Sequence, residues 1–127
     1  MANVPDELKY SAEHEWVAGD ATVGSIVTVG ITEHAAEALG DIVYVEPPQV
    51  GDTVTEADVC GELESTKAVS EMYSPVTGTV VDVNAALDGA PETVNTDAYG
   101  EGWIFKVEIT AAPKALLDSE AYAAITD

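Results

Sequence analysis

The chain contains no arginine and only four lysines, set against 24 acidic residues, for a formal net charge of −20 over 127 residues. Such a surface repels phosphate backbones and anionic lipid, so nucleic acid and membrane are excluded as partners. A single cysteine, Cys60, makes no internal disulfide; in its apolar, strand-like setting it reads as a buried, inert thiol. There are two histidines, His14 and His34, and neither sits in a nucleophile elbow. No Gly-rich phosphate loop or cysteine cluster accompanies them, so the groups a catalytic site needs do not converge. No run of 18 apolar residues exists to span a bilayer. Residues 1–6 resemble neither a signal peptide nor an Arg-rich leader, and the expected location is the cytoplasm.

Against these absences stands a globular composition, 46% apolar, in a chain long enough for one domain with a modest core. Val27, Val29 and Ile31 alternate with other residues, as do Phe105, Val107 and Ile109, and each set marks one face of a strand. Short apolar runs at 42–45 and 80–83 have strand length. Turn signals fall at Pro47-Pro48, Gly51-Asp52, Pro75 to Gly78 and Gly100 to Gly102. Many short strands with regular turns predict a mostly β fold, an antiparallel sandwich or flattened barrel. Thr32 is placed to cap a short helix that Gly40 ends, with Leu39 packing inward. The tail from about 113 to 125 reads as one or two helices behind a core of about 8–110, all within a single domain, 1–127. Gly51-Asp52-Thr53-Val54 and Gly78-Thr79-Val80 form a faint echo, each opening a strand after a turn.

Between the two halves of that echo lies Glu64-Ser65-Thr66-Lys67-Ala68, flanked on both sides by strand formers. Ser65 to Ala68 suits a tight hairpin turn, which presents one amine at a tip with no neighbouring cation. That is the geometry in which an enzyme modifies one lysine and ignores the rest; Lys9, Lys106 and Lys114 have strand or helix contexts. Glu13-His14-Glu15 invites a metal reading. On a strand, though, alternation sends both glutamates to one face and the histidine to the other, so no metal site is expected. The same alternation offers Glu13 and Glu15 as a pair of anions, with Glu71 four residues past Lys67.

From about residue 8 to 125 the sequence resembles the H protein family of the glycine cleavage system. The resemblance is carried by Leu8-Lys9-Tyr10, Glu13-His14-Glu15-Trp16, Val29-Gly30-Ile31-Thr32, Ala38 to Val43, Val50-Gly51-Asp52, Gly61 to Ala68 and Tyr73 to Gly78. Val94 to Asp97, Tyr99 to Trp103, Leu116-Leu117 and Glu120-Ala121-Tyr122 continue it. It implies a lipoyl-domain-like antiparallel β-sandwich, or barrel-sandwich hybrid, with a short internal helix and C-terminal helices. Lys67 would carry lipoate in amide linkage, with Glu64, Ser65, Thr66 and Ala68 as the turn read by a lipoyl or octanoyl transferase or a lipoate ligase. The protein would be no enzyme itself but a monomeric carrier. It would take the aminomethyl group of glycine from a pyridoxal-phosphate decarboxylase to a tetrahydrofolate-dependent aminomethyltransferase. Dihydrolipoyl dehydrogenase would then reoxidise it. Lysine plus lipoyl chain spans roughly 14 Å, about a dozen bonds of ordinary length. Glu13, Glu15 and Glu71 would dock the protonated amine of the loaded arm and shield it from water.

Two positions depart from the family pattern, with Ala57 near a common glycine and Cys60 where an aromatic is usual. Ala57 is strained if its turn needs positive φ. Three other readings compete: a lipoyl domain of a 2-oxo acid dehydrogenase complex, a lipoate relay to other enzymes, and an acidic sandwich that only binds partners. Free lipoyl domains usually read Asp-Lys-Ala at the tip and lack the flanking segments, and biotin carriers place methionine beside the lysine, whereas Met72 is too far along. The acid excess itself suits partner steering, solubility or a high-salt interior.

Overall fold

Val27, Val29 and Ile31 point inward from β3 (Ile26–Ile31), and Phe105, Val107 and Ile109 do so from β9 (Phe105–Ala111), as their alternation requires. These two strands pair antiparallel at the centre of a six-stranded sheet. Its other members are β1 (Lys9–Tyr10), β2 (Glu15–Ala18), β5 (Thr53–Val54) and β8 (Thr77–Val83), in the order β1-β2-β3-β9-β8-β5. A second sheet of three strands, β4 (Ile42–Glu46), β6 (Val59–Ser65) and β7 (Val69–Tyr73), runs in the order β4-β6-β7. Every pairing is antiparallel, and the two sheets stay separate without closing into a barrel. The computed structural model describes residues 4–126.

The main core lies between the sheets, where Val45, Leu63 and Met72 of the small sheet meet Val27, Val29, Val80 and Val107 of the large one. Burying a side chain of this size is worth about 1.5–3 kcal/mol, so the alternating valines hold the sandwich together. The echo around residues 51 and 78 has a structural meaning. Its two halves pair with each other, Thr53 opposite Thr79 and Val54 opposite Gly78, and so close the large sheet at its edge. Helix α1 (Glu33–Leu39) follows β3 as predicted: Thr32 Oγ1 accepts the Ala35 N–H at 3.2 Å, and Gly40 ends the helix at φ +84°.

The tail differs from its prediction. Helix α4 covers only Ser119–Thr126, while 113–118 form no helix and bend at Lys114 and Ala115. Pro113 has no N–H to give a helix, the Glu56 carboxylate takes the N–H groups of Lys114 and Ala115, and Leu117 bridges to Tyr10. Two one-turn helices, α2 (Ala86–Gly89) and α3 (Thr93–Thr96), were not anticipated; each sends one apolar side chain, Leu87 or Val94, into the core. A second cluster of Leu8, Tyr10, Trp16 and Tyr122 fastens α4 to the outer side of the large sheet. Within it the Tyr10 and Tyr122 rings stack at 4.6 Å. Trp16 packs where Gly30 has no side chain, since a Cβ there would meet its ring at 2.7 Å.

Candidate functional site: the lysine turn

Strand β6 ends at Ser65 and β7 begins at Val69, so Lys67 stands exposed at the tip of a hairpin whose last strand pair is Glu64 opposite Val69. Ser65 shapes the turn. Its backbone N–H donates to Ala68 O at 2.8 Å, while its Oγ accepts the N–H groups of Lys67 and Ala68 at 3.3 and 3.1 Å. A hydroxyl that stands in for backbone partners in this way is the reason serine suits the position. Beneath the tip, Thr66 N–H donates to Asp41 O at 3.0 Å, seating the turn on the junction between α1 and β4. Asn95 braces that junction, accepting the Ile42 N–H at 2.8 Å and donating to Gly40 O at 2.9 Å.

The lysine stem lies over Gly40. A methyl group added there would come within 3.1 Å of Lys67 Cε and 3.8 Å of Nζ, so glycine both ends the helix and leaves room for the stem. A groove of about 400 Å³ opens beside Gly40, lined by Glu33, Glu37, Asp41 and Asn95. An exposed primary amine on a fixed turn, with space for its methylenes, fits amide-linked lipoate. The other lysines are placed differently: Lys9 lies on β1, Lys106 sits over the Trp103 ring at 5.0 Å, and Lys114 follows β9 with its N–H bound to Glu56.

The three carboxylates read as a dock are not placed as alternation had it. Strand β2 starts only at Glu15; Glu13 and His14 belong to the preceding turn, and His14 takes φ +73°. The reversal leaves Glu13 exposed and turns Glu15 inward, 2% exposed. One oxygen of Glu15 accepts the Ser11 hydroxyl at 2.6 Å, and the other accepts the backbone N–H of Tyr73 at 3.2 Å. Burial pushes its carboxyl up to about 8, against the pull of those two hydrogen bonds, which favours the protonated form near neutral pH. Glu71 is exposed on β7. The Tyr73 phenol is held above its usual range first by Glu71, then by burial and by Glu13. Tyr73 and Ser11 were missed in the sequence, although Tyr73 lies two residues past Glu71 on the same strand face. A cavity of about 100 Å³ adjoins Glu13 and Glu15.

His14 has a separate role. Its Nδ1 lies 2.8 Å from the Tyr122 hydroxyl, which lies 2.7 Å from the Thr32 hydroxyl, so one phenol ties α4 to the cap of α1. Burial and the neighbouring His34 ring, 4.7 Å away, lower the His14 pKa. Cys60 is partly buried and its thiol is pushed up to about 12 by burial, which leaves it a poor nucleophile. Among the described residues no helix is long and apolar enough to cross a membrane.

Similarity to known proteins agrees with this geometry. The sequence pattern of the family described as Glycine cleavage H-protein matches residues 8–127. The chain is 58% identical over 124 residues to the glycine cleavage system H protein of Beutenbergia cavernae, covering 98% of this chain and 97% of that one. It is likewise 58% identical over 125 residues to that of Thermobifida fusca, with the same coverage. In three dimensions it superimposes on the crystal structure of the H protein from Mycobacterium marinum with a TM-score of 0.89. That pair is 47% identical, covering 95% of this chain and 97% of the other. Because the match runs through both flanking segments, a free lipoyl domain of a 2-oxo acid dehydrogenase is not favoured. The chain belongs to the glycine cleavage H-protein family, the lipoyl carriers of the glycine cleavage system.

Proposed function

We propose that this protein carries lipoate on Lys67. In that form it moves the aminomethyl group of glycine from the pyridoxal-phosphate decarboxylase to the folate-dependent aminomethyltransferase, and dihydrolipoyl dehydrogenase then restores it. The observation that carries the reading is the turn itself: one exposed amine, held by Ser65 and Asp41, with its stem over a glycine. Lipoate, when bound, supplies a dithiolane whose sulfur accepts the one-carbon amine and later returns to the disulfide. The chain's own residues do the rest. Lys67 Nζ provides the amide nitrogen, and Ser65, Thr66 and Ala68 keep it at the tip where a lipoyl transferase or ligase reaches it. Glu64, the last β6 residue before Ser65, pairs opposite Val69 and fixes where the turn begins.

Glu13 and Glu71 are the anions of the proposed dock, and Glu15 forms its neutral floor. A protonated amine brought there gains charge-assisted hydrogen bonds, each worth about 1.5–3 kcal/mol when water is excluded and much less when it is not. Tethering raises the effective concentration of the carried group at each partner, so the carrier needs no catalytic groups of its own. This reading makes it a cytoplasmic, non-catalytic subunit. The test is reconstitution: glycine decarboxylation should need both the pyridoxal-phosphate enzyme and the lipoylated form of this protein. Full-rate decarboxylation with the unmodified form would contradict the carrier role.

A further inference from the structure

The outer face of the three-stranded sheet packs against no part of the core. Val45, Leu63 and Met72 are buried, so their strand neighbours face the other way. Strand register sets six of them in two rows across the sheet. Tyr44, Glu64 and Val69 lie opposite one another nearer the lysine turn; Glu46, Glu62 and Glu71 form the row behind. Tyr44 is 47% exposed and Val69 61%, so the front row offers apolar surface to solvent beside a glutamate. Like charges placed directly opposite in an antiparallel pair are destabilising, and the back row sets three carboxylates in line. The sheet has one cation to answer them, Lys67, whose stem turns toward Gly40. Lys9 and Lys106 lie in strands of the other sheet, and Lys114 lies beyond it.

A row of acids that costs stability, bordered by exposed apolar side chains, suits a basic partner with an apolar contact of its own. We propose that this face is the docking surface for the enzyme that acylates Lys67. The proposal rests on the reading of Lys67 as the attachment site. Reach selects this partner over the others. A bare lysine amine extends only about 6 Å from its Cα, so the acylating enzyme must press onto the sheet around the turn. Enzymes that act on the far end of the loaded arm can meet it up to roughly 14 Å away and need not cover this sheet. At about 3.3 Å per residue the back row lies roughly 16 Å from the tip, which is the radius of a footprint of about 800 Å². Both rows therefore fall under a standard interface centred on Lys67.

The experiment follows lipoylation of the unmodified full chain by a purified lipoate ligase with lipoate and ATP, comparing the parent with a Glu46→Gln/Glu62→Gln variant. At low salt the KM for the variant should rise about fivefold with kcat within twofold, and the difference should shrink at about 0.5 M salt. A Glu46→Lys/Glu62→Lys variant should raise KM further. The glutamine variant should melt at or above the parent temperature, because repulsion is relieved, which shows that it folds. An unchanged KM at low salt, or a fall in kcat alone, would overturn the proposal. If Lys67 of the parent takes no lipoyl group at all, it is the attachment site itself that fails.

Discussion

The carboxylate of Glu15 accepts the backbone N–H of Tyr73 at 3.2 Å, and this bond closes the turn before β2 onto the strand that leaves the lysine turn. Ser11 completes the clasp, donating its hydroxyl to Glu15 and accepting the Glu15 N–H at 3.0 Å. Both hydrogen bonds that Glu15 accepts favour the carboxylate, but burial outweighs them. Burial raises the Glu15 pKa from 4.5 to about 8, so the folded state holds a proton there that the unfolded chain releases. Stability from this group is full below about pH 4.5 and is lost as pH rises through about 8. One proton limits the slope to about 1.4 kcal/mol per pH unit. Urea unfolding of Glu15→Gln across that range should show a flatter pH dependence than the parent. Identical slopes would mean that Glu15 is ionised in the fold.

Tyr122 joins two elements far apart in sequence, meeting both the His14 ring and the Thr32 hydroxyl. Tyr122→Phe keeps the stacking on Tyr10 but leaves both polar partners short of a bond. A loss of about 1–3 kcal/mol is expected, read by denaturant unfolding. No loss would show that the phenol oxygen does not fasten α4.

Ala57 sits at φ +73°, in the left-handed region where a side chain is disfavoured by roughly 1–2 kcal/mol. Ala57→Gly relieves this at the cost of a freer unfolded chain, for a net gain of about 0.5–1 kcal/mol. Equal or lower stability of the glycine variant would show that the turn accommodates alanine without strain.

The dock is tested by Glu13→Gln with Glu71→Gln, which removes both exposed anions and leaves the Glu15 clasp intact. Lipoylation of Lys67 should still reach one group per chain, while loaded protein should release its aminomethyl group to water several-fold faster, followed by mass spectrometry over time. Equal lifetimes would return both residues to ordinary solvated surface.

The strands carrying alternating valines, the capped helix at Thr32 and the lysine hairpin were legible because each rests on local chemistry: period-two burial, a side-chain cap, a serine turn. The barrel alternative, the start of α4 and the fate of Glu15 were not. Closure into a barrel depends on pairings between distant strands. The start of α4 at Ser119 depends on Glu56, 58 residues away from Lys114 in sequence, capturing the N–H groups of 114 and 115. Glu15 turns inward because His14 adopts positive φ, and nothing in Glu13-His14-Glu15 marks the alternation as broken. Tyr73 was hidden for a related reason, since its contacts with the 11–15 turn run between two sheets.

The central claim is the identity of the modified residue. Intact-mass and peptide mass spectrometry of protein purified from its native cell, alongside a Lys67→Arg variant expressed there, tests it most directly. The account predicts one lipoyl increment per chain, located on Lys67, and an unmodified but normally folded Lys67→Arg protein. An increment on Lys9, Lys106 or Lys114, or a lipoylated Lys67→Arg variant, would contradict it.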